Sequence, residues 1–259
     1  MTKPSELYLA RLTTTELGEF IAQAATPIIL WPVGSTEPHG PHLPLATDII
    51  LSEENARRAA GRLREQGIDA LIAPGLPYGV TDFAAGFSGA MTVPHDAYVS
   101  TLVSVCARFY HDGFRHVCLI NHHLEPGQLD ALAAVRTELA STFGDGAISV
   151  PQVVSRRWGR HLGDEFRSGA CHAGAYEGSL VRAVEPTLFR HRVAETLPPV
   201  EISLSKAIKA GCHSFLEAGA DQAYPGHPSK ATASEGERLY GILTEMVVCE
   251  VTEHLEKQS

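Results

Sequence analysis

The stretch from Trp31 to Asp48 constrains this chain more than any other. It begins inside an apolar run, Ile28 to Val33, long enough to fill one buried strand. The chain then breaks into a loop carrying Glu37, His39, His42 and Asp48, interleaved with Gly34, Pro38, Gly40, Pro41 and Pro44. Proline fixes φ and glycine admits conformations closed to other residues, so this loop has a set, irregular path. Carboxylates and imidazoles held on such a path at a strand end suit a borderline divalent metal such as zinc or manganese.

The rest of the chain alternates strand and helix. Thr13 with Glu16 forms a capping box before a helix to about Ala25. A strand over 27–33 follows, and Asp48 is expected to cap a helix reaching Gln66, stopped by Gly67. Residues 69–74 read as a second strand. The loop over 75–90 is too long for a plain connection and is expected to serve function. A short strand is expected at 91–93. Pro94 opens a helix whose stripe Val99, Leu102, Val103, Cys106, Phe109 and Tyr110 marks it as core, and Gly113 ends it. Strands are expected at 115–121 and 147–154, with a helix from Pro126 to about Ser141 between them. Residues 155–171 read as irregular, the segment from Cys171 to Ser179 leads into a helix ending near Pro186, and 187–230 read mostly as loop. Ser234 to Glu237 caps a last helix to about Leu255. Such alternation argues for an α/β fold with a mostly parallel sheet and helices on both faces.

In a parallel sheet, ligands bind beyond the carboxyl ends of the strands. A second polar cluster, Asn121, His122, His123 and Glu125, follows the third strong strand. Glu37, His39, Asp48, His123 and Glu125 together exceed what one tetrahedral site with an open position requires. They suit two metals that share a bridging carboxylate and a hydroxide. His42 and His122 are expected to support the ligands, and Trp158 with Arg156, Arg157 and Arg160 could meet an anionic substrate.

Composition narrows the classes. The 259 residues, 44% of them hydrophobic, are expected to form one domain over residues 1–259. The net charge is −9 and no Lys/Arg block stands out, so neither nucleic acid nor an anionic membrane is an expected partner. No apolar run of about 18 residues marks a transmembrane helix, and residues 1–6 lack a signal-peptide core. Five dispersed cysteines, at 106, 118, 171, 212 and 249, fit a reducing cytoplasm.

The opening loop, the turn from Asn121 to Glu125 and the segment from His172 to Ser179 resemble the creatininase (creatinine amidohydrolase) family over roughly residues 27–186. The approach to the last helix, Gly226 to Gly236, is also similar. The resemblance implies a three-layer α/β/α fold, a binuclear metal centre and hydrolysis of an amide, often cyclic. It implies that Glu37, Asp48 and His123 hold one metal and that His39, Asp48 and Glu125 hold the other. It further implies proton transfer by His172, a place for Glu177 at or behind the metals, and a homo-oligomer, typically a hexamer. The catalytic candidates are thus His172, Glu125 and Glu177, with two zinc or manganese ions per chain and a small-molecule amide as substrate. Creatininases carry a Trp-Asp pair shortly before the matching histidine, but here Arg167 to Cys171 contain neither residue. A substrate other than creatinine is therefore expected, set by the loops over 75–90 and 155–171. Other readings are a formamide or other linear-amide hydrolase of a biosynthetic pathway, and a non-catalytic maturation or binding protein.

Overall fold

The computed structural model describes residues 6–258, so the reading of the first five residues lies outside the described residues. Four strands form one sheet: β1 Ile28–Val33, β2 Ala70–Ile72, β3 His116–Asn121 and β4 Ile148–Ser149. Their order is β2-β1-β3-β4, and every pairing is parallel. The register sets Ile28 beside Ala70 and His116, and Val33 beside Asn121, so both ligand loops leave the same sheet end.

Ten helices are described: α1 Thr14–Gln23, α2 Thr47–Glu65, α3 His95–Asp112, α4 Pro126–Phe143, α5 Arg156–Gly159, α6 Gly163–Ser168, α7 Ala175–Val184, α8 His191–Ala194, α9 Leu204–Lys209 and α10 Ala233–Gln258. Alternate residues of each strand feed opposite layers, because side chains on a strand point to alternate faces. Ile29, Trp31, Val33, Val117 and Leu119 pack with Leu102 and Cys106 of α3 and Leu132 and Val135 of α4. Ile28, Leu30, Cys118 and Ile120 pack with Ala56, Ala59 and Leu63 of α2 and Val247 and Val251 of α10. A sheet covered on both faces explains why β1 is apolar throughout instead of alternating. Burying each large aliphatic side chain contributes about 1.5–3 kcal/mol, so these two layers stabilise the sheet strongly.

Local signals set several boundaries. The Thr13–Glu16 capping box starts α1, and Gly113 ends α3 with φ 109°. Glycine permits the closest helix contact, that of α10 with α7: a Cβ on Gly236 would lie 2.0 Å from the Ser179 carbonyl oxygen. Arg58–Glu237 and Arg62–Glu245 ion pairs tie α2 to α10 on the outside.

Residues 155–171, read as irregular, hold α5 and α6, and four further expectations change. Residues 91–93 form no strand; Met91 and Val93 instead bond singly to the Thr36 and Gly79 carbonyls. The strand expected at 147–154 contracts to two residues, since Pro151 has no N–H to extend the ladder. Asp48 lies inside the first turn of α2 with its carboxylate turned to two histidines, so Ala46 takes the cap position. The last helix is capped by the Thr232 hydroxyl, which accepts the Glu235 N–H, so Ser234 is already inside it. Among the described residues, no helix is long and apolar enough to cross a membrane.

Candidate metal centre

The site is assembled at the carboxyl end of β1 and β3. Ser52 of α2 donates to the Val33 carbonyl and accepts the His122 N–H, which pins α2 across both strand ends. Gln128 of α4 accepts the Val80 N–H and donates to Asn121, which fastens the 75–90 loop to the end of β3. The 75–90 loop therefore serves the site, as its length suggested. Thr81 donates to Glu37, the Asp82 N–H to Glu125, and the Val80 carbonyl accepts from His123.

Glu37, His39, Asp48 and His123 come together, all at most 3% exposed. His123 Nδ1 lies 3.2 Å from Glu37 Oε1 and 3.1 Å from Asp48 Oδ2. His39 Nε2 lies 3.2 Å from Asp48 Oδ1 and 3.4 Å from Glu177 Oε2. Ligand atoms bound tetrahedrally at about 2.1 Å stand about 3.4 Å apart, so each triad has the spacing of a zinc-type site. Asp48 gives one oxygen to each triad. Glu37, Asp48, His123 and His39, Asp48, Glu177 are both groups able to hold an ion.

Second partners orient the imidazoles. His123 donates from Nε2 to the Val80 carbonyl at 2.7 Å, and His39 from Nδ1 to the Glu37 carbonyl two residues before it at 3.1 Å. The other nitrogen of each ring faces the carboxylates; it carries a proton in the metal-free protein and would offer a lone pair to a bound ion. His39 Nε2 and Asp48 Oδ2 are buried without a well-directed hydrogen bond. Buried polar atoms are rarely left so, and a cation between them would satisfy both.

Glu125 falls outside both triads. Its Oε2 approaches His123 only at 3.8 Å, on the Nε2 edge that faces Val80, away from the nitrogen that faces Glu37 and Asp48. Its Oε1 accepts the Asp82 N–H, and Oε2 is buried with no partner. The resemblance had given Glu125 the place beside His39 that Glu177 occupies. Glu177 is held there by the Ala173 N–H at 2.6 Å, from a residue with φ 51°. An alanine in that left-handed conformation costs about 1–2 kcal/mol, which the surrounding structure must offset. His172 donates from Nε2 to the Pro38 carbonyl, turns Nδ1 toward Glu37 at 3.6 Å and packs against the His39 ring at 4.2 Å.

Electrostatics follow from this crowding. Burial opposes charge on His39, but Asp48, Glu177 and Glu37 outweigh it and raise the imidazole to about 10. His123 is likewise held well above 6.5 against burial, by Glu37 and Asp48. Burial also works against the Asp48 and Glu37 anions, yet the neighbouring histidines hold both carboxyls below their ordinary values. The protons on His39 and His123 thus balance charge as bound cations would. Burial pushes Glu125 up to about 7 and Glu177 to about 8. Burial, then the His39 charge, pushes His172 down to about 4.

His42 and His122 stay outside the triads. His42 packs edge-on to Phe189 and Tyr224, and His122 Nε2 accepts from Asn55. The arginines do not reach the centre. Arg157 pairs with Glu253 over Trp158, while Arg156 and Arg160 line a hollow beyond Val154, Cys171 and Ser205. The cavity over the triads holds about 650 Å³ of free space, its mouth included. Much of its wall was not read from the sequence: Leu204 and Ile208 of α9, and Phe215. The only signal there was a pair of apolar residues four apart in a stretch of weak periodicity.

The family model described as Creatininase: Creatinine amidohydrolase matches residues 10–251. A mycofactocin precursor peptide peptidase of Mycolicibacterium smegmatis is 31% identical over 221 residues, 83% of this chain and 80% of the relative. A 3-dehydro-scyllo-inosose hydrolase of Thermotoga maritima is 29% identical over 186 residues, 71% of this chain; the match spans 55% of that relative's length. Solved creatininases, titled as zinc and manganese forms among others, share the fold. A variant of the Zn–Zn type aligns with TM-score 0.73 at 20% identity, covering 96% of this chain and 98% of the other.

Proposed function

Because this chain belongs to the creatininase family of hydrolases, we propose that it is a metal-dependent hydrolase of amide C–N bonds with two divalent ions, zinc or manganese, per chain. The observation that carries this reading is the pair of buried triads that share Asp48 at metal-ligand spacing. Glu37, Asp48 and His123 would hold one ion and His39, Asp48 and Glu177 the other. When bound, the ions supply Lewis acidity, lowering the pKa of water and polarising a carbonyl oxygen.

The chain's own residues do the rest. Glu125 is assigned the proton transfer: its side chain lines the cavity, and in the metal-free protein burial raises its carboxyl to about 7. It takes a proton from the attacking water and delivers it to the departing amide nitrogen, which otherwise leaves poorly. His172, packed at a tilt against His39, positions Glu37 and that ring; its Nε2 proton is committed to Pro38. This exchanges the roles that the resemblance implied for Glu125 and Glu177. Like its family, the chain is proposed to act as a homo-oligomer, as a hexamer in the cytoplasm.

The test is metal analysis joined to turnover. Protein equilibrated with zinc or manganese should hold two ions per chain and hydrolyse members of a panel of lactams, hydantoins, formamides and dipeptides; chelation should abolish both. Protein that retains no ion after equilibration would remove the proposal.

A further inference from the structure

The cavity wall carries more than the metal chemistry requires. Resting on the hydrolase reading of the same centre, we infer that the site selects amides whose substituent beside the reacting bond is apolar and uncharged. Phe83, Leu124, Val154, Leu204, Ile208 and Phe215 line the cavity over the triads, and no lysine or arginine does so among the described residues. Phe215 stacks on His172 at 4.5 Å and meets Phe83 edge-on at 5.0 Å. The apolar surface thus begins at the residue that faces Glu37 and runs outward, interrupted by Ser205 as its one hydroxyl.

This wall is built, not incidental. The Phe215 N–H bonds the Phe83 carbonyl, and the Leu204 N–H bonds the Gly169 carbonyl, fixing α9 over the cavity. Behind it Phe83, Ala84, Leu204, Phe215, Ala220 and Ala223 form a small buried cluster of their own. Three separate stretches of chain therefore converge to present carbon. With the two proposed divalent ions bound, the carboxylates of Glu37, Asp48, Glu125 and Glu177 on the polar side would be balanced in charge. A charged substituent pressed on the wall loses its hydration and finds no partner, whereas an alkyl or aryl group gains contact.

Such a group can sit on an open-chain peptide-type amide or on a lactam ring, so two substrate arms are needed. Zinc-loaded protein is assayed with dipeptides that differ in one side chain (leucine, phenylalanine, aspartate, lysine), and with five-membered lactams bearing matched isobutyl or carboxymethyl groups. The apolar members should exceed the charged ones at least about 100-fold in kcat/KM, in whichever arm is hydrolysed. A readout independent of turnover is calorimetric binding of hydroxamates carrying isobutyl, benzyl, carboxymethyl or aminobutyl groups, with the same order expected. Ratios under ten-fold in both readouts overturn the inference. Selective hydroxamate binding with no amide hydrolysed upholds the pocket and removes the amidase reading; hydrolysis without selectivity does the reverse. Ile208→Lys, at the half-buried rim, should lower isobutyl binding about ten-fold and raise carboxymethyl binding as much, with metal content unchanged. An unaltered preference in that folded, metal-replete variant also overturns it.

Discussion

Glu177→Gln and Glu125→Gln together test how the two carboxylates divide their work. Glu177 Oε2 stands 3.4 Å from His39 Nε2, within one metal's ligand spacing, and Glu125 stands behind the His123 ring. Changing a carboxylate that supports a metal ligand already costs 10- to 100-fold in affinity, so neutralising a direct ligand should cost at least about 100-fold for one ion. That equals about 2.7 kcal/mol. Glu177→Gln should therefore hold one ion firmly and lose the other at low free zinc, measured by elemental analysis after dialysis against a zinc buffer. Glu125→Gln should keep both ions and lose about 100- to 10,000-fold in kcat. The metal-free proteins give an internal control. Burial, reinforced by Asp48 and opposed by His39, raises Glu177 from 4.5 to about 8. A carboxyl raised on folding stabilises the fold below about pH 4.5 relative to its ionised form, and that stabilisation is lost as pH rises through about 8. Glutamine removes this loss while keeping an acceptor for the Ala173 N–H. Metal-free Glu177→Gln should thus melt no lower than the parent at pH 7, and higher above pH 8. Two ions held with parental affinity by Glu177→Gln, beside one held by Glu125→Gln, would refute the assignment.

Three further outcomes are expected. Creatinine should be a poor substrate, below about 10⁴ M⁻¹s⁻¹ in kcat/KM with zinc- or manganese-loaded protein, because Ser168 and Gly169 stand where a Trp-Asp pair would close over the ring; a higher value would show that the pocket has been misread. Gly236→Ala should destabilise the α7–α10 contact by about 1–3 kcal/mol, since its Cβ would meet the Ser179 carbonyl at 2.0 Å. That is a fall of roughly 2–12 °C in Tm by circular dichroism, and an unchanged Tm would show that the helices part freely. Sedimentation at micromolar concentration should give an oligomer of six chains; a 27.9 kDa monomer would end that proposal.

The sheet and the ligand loop were legible because their causes are local. Ile28 to Val33 is apolar at every position, which only a strand covered on both faces needs, and the proline-rich turn after it has no other use. Glu37, His39, Asp48 and His123 could be named because parallel strands deliver their following loops to one edge. The boundaries that shifted were those decided by competition. Asp48 suits a helix cap, but its carboxylate gains more from His39 and His123 than from one backbone N–H. Residues 147–154 look like a strand until Pro151 removes a donor at the sheet's edge.

Glu125 and Glu177 show where sequence position stops being informative. Glu125 lies two residues after His123, so spacing alone draws it toward the metals. Yet His123 must spend one ring edge on the Val80 carbonyl to present Nδ1 to Glu37 and Asp48, and Glu125 emerges on that spent edge. Glu177 is 52 positions beyond Glu125, on the first turn of α7, and arrives because Ala173 turns left-handed and directs its N–H to the carboxylate. No periodicity encodes such a turn at an alanine. The cavity wall is further still from legibility: Leu204, Ile208 and Phe215 lie in a stretch without a regular pattern, and what recruits them is a tertiary cluster with Phe83. The chemistry of the centre is written in contiguous motifs, whereas the surface that chooses a substrate is written in contacts between distant segments.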